Sequence, residues 1–259
     1  MIKTLQRFFY AWLFLTKLPA PPLPKATKED WGRIAPYFVL IGFILGFILY
    51  FFIKIFAFLH LPIMFSSLLT LLLWNLITGS LHLDGLMDTF DGINCQDENR
   101  KVDAMRDSRI GAFGAIAGIF ILLFKLITLC TLLLNKLFFI IIVSLPLARL
   151  LTVYSFTFLA QNQKSGISSS MLLAGIKKPF DFLINIFIFS LIFLFCIFYF
   201  HLKLFSVFFV IISAFLSLVW SYWLDKHFKG HTGDTFGALI ELSEVTVLSL
   251  GVMLKNHLM

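Results

Sequence analysis

The chain has 259 residues, is 59% hydrophobic with 33 phenylalanines, and carries a formal net charge of +7; its mean hydropathy is +0.94. Soluble domains hold about 45–50% apolar residues and about a quarter charged ones, so at 14% charged a water-soluble fold could not hide this much Phe, Leu and Ile. That excludes an ordinary soluble domain and implies an all-α, polytopic membrane bundle, read as a single domain over residues 1–259.

The first stretch, residues 1–33, begins like a signal peptide, with Lys3 and Arg7 before an apolar run from Phe8 to Leu15. Lys17 and the prolines end that run and no small-residue cleavage site follows. Eight apolar residues are too few for a span, which needs about 20. The expectation is a retained cytoplasmic or interfacial segment.

Seven spans are expected after it: Ile34–Leu59, Leu61–Leu83, Gly111–Leu134, Leu137–Ala160, Phe182–Phe200, Leu204–Leu224 and Thr235–Leu254. With the N-terminus inside, the inner segments hold 15 Lys and Arg against 3 on the outer side. That asymmetry orients the chain by the positive-inside rule. It also accounts for most of the +7 charge, together with acidic lipid headgroups, so nucleic-acid binding is not needed. Every polar segment long enough for chemistry then faces the cytoplasm, and the outer loops are too short for a receptor. The three cysteines, Cys95, Cys130 and Cys196, lack the spacing of a disulfide framework or a zinc site.

In chain order, the first chemical signal is "LHLDGLMDTFDGI", residues 81–93. Asp84, Asp88 and Asp91 fall at i, i+4 and i+7, one face of a helix. Three like charges so placed repel. A hard divalent cation would hold them, and Mg²⁺ suits carboxylates shared with substrate phosphates. Gly85 and Gly92 leave room for a ligand or another backbone. His82 precedes the stripe as a second-rank partner.

Next, "MRDSRIGAFGAIAG" sets Arg106, Asp107, Ser108 and Arg109 before a run of small residues. Arginine's planar fork suits phosphate oxygens, and the small residues allow close helix packing in membranes. Arg149, halfway along the fourth span, must face the bundle interior and meet a carboxylate or a phosphate, because a charge at mid-membrane costs roughly 2.5–3.5 kcal/mol.

The last signal is "KGHTGDTFGALIELSE", residues 229–244. Gly230, His231, Thr232 and Gly233 suit a turn that offers N–H groups to an anion, and Thr232 or Asp234 suits a helix cap. Asp234, Glu241 and Glu244 share one face broadly and suggest a second metal or phosphate cluster, although a Glu there also suits an ion pair with Arg149. The combination of acids, arginines and a cytoplasmic face fits Mg²⁺-assisted transfer from a diphosphate. A CDP-alcohol phosphotransferase-like enzyme fits less well, because its acid spacing is longer. A cation-coupled transporter would spread its acids through the midplane.

These three motifs, with the early "FLTKLPAP" from Phe14 to Pro21, resemble the signatures of the adenosylcobinamide-GDP ribazoletransferase (cobalamin synthase) family across nearly the whole chain. Met87, Phe90, the "INCQDENR" loop and His231 depart from the family pattern without removing an acid. The resemblance implies an inner-membrane enzyme that joins adenosylcobinamide-GDP to α-ribazole, or to its 5′-phosphate, and releases GMP with Mg²⁺. It implies Asp84, Asp88, Asp91, Asp234 and Glu241 near the metal, with Asp91 or Asp234 as base. Arg106, Asp107, Ser108, Arg109, Arg149, Thr232 and Gly233 are implied to be near substrate. The lipid bilayer is the other partner, and self-association of the chain stays open.

Overall fold

The computed structural model describes residues 2–97, 100–107, 109–162 and 179–258. Its elements are helices throughout: α1 (Ile2–Leu15), α2 (Lys28–Trp31), α3 (Phe38–Phe58), α4 (Ile63–Thr78), α5 (Leu81–Ile93), α6 (Lys101–Ala104), α7 (Ala112–Leu134), α8 (Phe138–Phe158), α9 (Phe180–Phe200), α10 (Phe205–Phe228), α11 (Gly233–Met253) and α12 (Lys255–Leu258). Among the described residues six helical segments are long and apolar enough to cross a membrane, or seven if α4 and α5 are one bent span. The protein is a polytopic helical membrane bundle.

Helix α8 is its hub, buried along nearly its whole length. Helix α3 lies flush against it through Gly42 and Gly46. A Cβ at Gly42 would fall 2.8 Å from the Pro146 Cα, and one at Gly46 would fall 3.1 Å from Ile142. Small residues four apart let two membrane helices touch backbone to backbone. Asn185 of α9 ties a third helix to the same corner: its Oδ1 accepts from Val39 N at 3.1 Å, and its Nδ2 donates to Ala35 O at 3.0 Å. Large apolar side chains such as Phe51, Phe187, Phe198 and Phe215 point outward, where lipid takes the place of a core.

The second expected span is not one helix. Gly79 (φ 63) and Ser80 (φ 54) both adopt the left-handed conformation, and α5 leaves α4 at 86°. Gly79 closes α4 as a left-handed cap, a position that glycine fills without a steric penalty. The chain after α1 straps this elbow. Lys17 N donates to Ile77 O at 2.8 Å, and the Lys17 stem occupies the space a Gly79 side chain would need. The acid stripe therefore rides on a separate short helix rather than on the tail of a span. The first stretch likewise forms a helix, α1, docked through Tyr10, Ala11 and Leu15.

Candidate active site

Helices α5 and α11 meet through glycines. A Cβ on Gly85 would lie 2.9 Å from the Asp234 carbonyl oxygen, and one on Gly237 would lie 3.1 Å from the His82 carbonyl oxygen. This backbone contact puts Asp84 beside Asp234, although 150 residues separate them in sequence. Both line an open cleft of about 340 Å³ with Asp88, Met105, Arg106, Asp107, Arg109 and Ile110. Four carboxylates thus face two guanidiniums, and one of the four is already spent. Arg109 grips Asp107 with Nε at 3.1 Å and Nη2 at 2.7 Å, which pulls the exposed Asp107 carboxyl down to about 2. Asp84, Asp234 and Asp91 all press their charge on Asp88, while Arg106 acts on Asp234. The surplus charge of the cleft is negative.

Asp91 faces another way. Its Oδ2 accepts from Gly111 N and its Oδ1 from Gly114 N, each at 2.8 Å. It caps α7, whose first amides have no partners within the helix. Gly111 and Gly114 are glycines for this reason: a Cβ at either would fall 2.2 or 2.4 Å from an Asp91 carboxylate oxygen. The small residues at the start of α7 admit a carboxylate as well as a helix. The expected stripe of three metal ligands thus becomes two cleft acids and one cap.

The turn before α11 is also committed to structure. Thr232 caps the helix in a reciprocal box: its Oγ1 accepts from Thr235 N at 3.2 Å, and Thr232 N donates to Thr235 Oγ1 at 2.8 Å. His231 N donates to Ala160 O at 2.9 Å. The expected anion nest from His231 and Thr232 is therefore absent, because both N–H groups have intramolecular acceptors. The His231 ring is buried, stacked on Phe236 at 4.8 Å, and burial pushes its imidazole down to about 4. Gly230 (φ 116) makes the turn. Gly233 borders open space, with nothing near its missing Cβ.

Two expected site residues lie elsewhere. Lys125 Nζ bonds Glu241 Oε2 at 2.8 Å and Glu244 Oε2 at 2.6 Å, and Arg149 Nη1 bonds Glu244 Oε1. These four charges close on one another between α7, α8 and α11, with Lys125 over the Trp74 ring at 4.4 Å. Glu241 is two turns past Asp234, about 10 Å deeper along the helix, so it serves Lys125 and not the cleft. Arg149 is fully buried and meets a carboxylate, the first of its two expected partners. The sequence marks Lys125 only as a cation inside a span, with no partner or role assigned to it. Its placement inside a span was the available signal, since a lone mid-span cation requires a partner. Ser108 lies outside the described residues.

Among the described residues no three acids or imidazoles close tightly enough to hold a metal by themselves. A second cavity of about 310 Å³ meets the cleft at Asp84 and Asp234 and extends into apolar surroundings.

Fold and site together define a polytopic membrane protein with an acid–arginine cleft at one end of its bundle, built where a short bent helix touches the last long one. The family described as cobalamin-5-phosphate synthase matches residues 7–252, and the chain belongs to that family. It is 32% identical to an adenosylcobinamide-GDP ribazoletransferase of Thermoanaerobacter pseudethanolicus, over 95% of this chain and 97% of the relative. A Clostridium botulinum protein of the same name is 31% identical over 98% and 100%, and a Synechococcus one is 33% identical over 92% of each. No solved structure matches.

Proposed function

We propose that this chain is an adenosylcobinamide-GDP ribazoletransferase acting at the cytoplasmic face of the inner membrane. The observation that carries the reading is the meeting of Asp84, Asp88, Asp234, Arg106 and Arg109 in one cleft, the donor set a diphosphate and a hard cation require. Orientation follows from the lysine and arginine asymmetry of the loops.

Mg²⁺ fits this set. It takes one or two carboxylates and fills its remaining positions with substrate phosphate oxygens and water. Two of Asp84, Asp88 and Asp234 would hold it, and bound there it would neutralise charge on the diphosphate. Arg106 and Arg109 bind the outer phosphate oxygens. A ribose hydroxyl of the acceptor attacks the phosphorus attached to the cobinamide arm. A new P–O bond forms, the anhydride P–O bond breaks, and GMP leaves with the electron pair. Asp234, at the junction of the two cavities, takes the hydroxyl proton. Asp91 is not placed for this step, because the Gly111 and Gly114 amides hold both its oxygens.

The test is direct. Purified protein in detergent, given adenosylcobinamide-GDP, α-ribazole and Mg²⁺, should release GMP. No GMP release, with cation flux in protein-loaded liposomes, would replace this reading with the transporter. CMP release from a CDP-alcohol donor, with no GMP release from adenosylcobinamide-GDP, would favour the other phosphotransferase class.

A further inference from the structure

The apolar cavity has no part in diphosphate binding, yet it opens onto the same two carboxylates, Asp84 and Asp234. Its wall is a run of phenylalanines from four helices. Phe14 stacks on Phe38 at 6.0 Å and 21°. Phe38 meets Phe156 edge-on at 6.1 Å, and Phe156 packs on Phe236 at 3.9 Å. Of the three glycines that line it, Gly85 and Gly237 are taken up by the contact between α5 and α11, and Gly233 borders open space. Small-molecule sites run to roughly 300–1,000 Å³ and are mostly apolar with few polar groups. At about 310 Å³ this cavity is the size for a flat ring and its sugar, not for a corrinoid.

We infer that this cavity takes the flat aromatic base of the acceptor nucleoside, stacked among Phe14, Phe38, Phe156 and Phe236, with the ribose hydroxyls at Asp84 and Asp234. This rests on the proposed reaction and adds where its second substrate binds. The donor diphosphate lies in the polar cleft and the acceptor base in the aromatic one. The two carboxylates stand at the border where the reacting atoms meet. A lipid acyl chain is the competing occupant, since the cavity is apolar and the protein lies in a bilayer.

Gly233→Leu tests the assignment at a position with room for a Cβ, because nothing lies within 4 Å of it. The expected result is a rise of about tenfold or more in KM for α-ribazole, the stacking contacts of the base being lost. KM for adenosylcobinamide-GDP should stay within about twofold. Phe14→Ala, on the peripheral N-terminal helix, opens the same cavity and keeps the question answerable if the leucine variant misfolds. It should raise KM for α-ribazole while improving the relative rate with an α-riboside of a larger tricyclic base. A rise confined to the donor KM, or equal for both substrates, overturns the assignment. So does a Phe14→Ala rate that ignores base size and follows acyl-chain length of the reconstituting lipid. If the unaltered protein releases no GMP at all, the proposed reaction itself fails; if it turns over normally and only these variants disagree, the cavity assignment alone fails.

Discussion

Replacing Asp91 separates a helix cap from a metal ligand. Asp91→Ala removes acceptors for two amides, Gly111 N and Gly114 N. Loss of a side-chain cap costs about 1–2 kcal/mol, and loss of negative charge at a helix N-terminus costs about 0.3–1 kcal/mol more. Asp91 is half-buried, so water recovers part of the bonding, and a total of about 1–2.5 kcal/mol follows. For a chain of this size that corresponds to a melting temperature lower by about 2–10 °C. Asp91→Asn keeps one acceptor oxygen and should lose roughly half as much. The assay is thermal unfolding in detergent alongside GMP release across a Mg²⁺ titration. The Mg²⁺ concentration for half-maximal rate should stay put in the molecules that remain folded. An unchanged melting temperature with a Mg²⁺ requirement raised by orders of magnitude would refute the cap and return Asp91 to the metal.

Asp88→Asn should behave in the opposite way: turnover abolished, membrane insertion and melting temperature preserved, because it removes a charge that three neighbouring acids oppose and that the cleft uses. Lys125→Met leaves Glu241 and Glu244 with Arg149 alone, and should cost about 3–5 kcal/mol, read as loss of folded protein on size-exclusion in detergent. The pair Lys125→Met with Glu241→Met should recover most of that. Gly42→Ala puts a methyl 2.8 Å from the Pro146 Cα with no side chain able to yield, and should destabilise by about 1–3 kcal/mol. The His231 imidazole falls from 6.5 unfolded to about 4 folded. The unfolded chain therefore takes up a proton first as pH drops. Stability is complete above pH 6.5 and declines by about 3 kcal/mol toward pH 4. Melting curves across that range should show the decline, and His231→Gln should flatten it.

Class, helix count and the acid–arginine inventory were legible because hydropathy and charge are one-dimensional signals. Asp84, Asp88 and Asp234 could be expected to matter from their cost beside apolar sequence. Their partition could not, because which acid turns to the α7 amides depends on how α5 lies against α7, a three-dimensional fact. The small residues Gly111 and Gly114 were legible as tight packing, but not as space for a carboxylate. The elbow was written in Gly79-Ser80, a helix-ending pair, and hidden by the apolar residues on both sides of it. The turn at His231 misled in another way. Its glycine pattern is that of an anion nest, and only the neighbouring Ala160 carbonyl and Thr235 hydroxyl reveal that its amides are taken.

The closed charge quartet between α7, α8 and α11 has a consequence for how the protein is made. Lys125 and Arg149 leave the ribosome about 100 residues ahead of Glu241 and Glu244. During that interval two cations stand in the membrane without their counter-charges, each at a cost of roughly 2.5–3.5 kcal/mol. The nascent bundle must then be sheltered until the final long helix arrives to neutralise it. A chain cut before Glu241 would be a substrate for membrane quality control, even though most of its spans had already been synthesised.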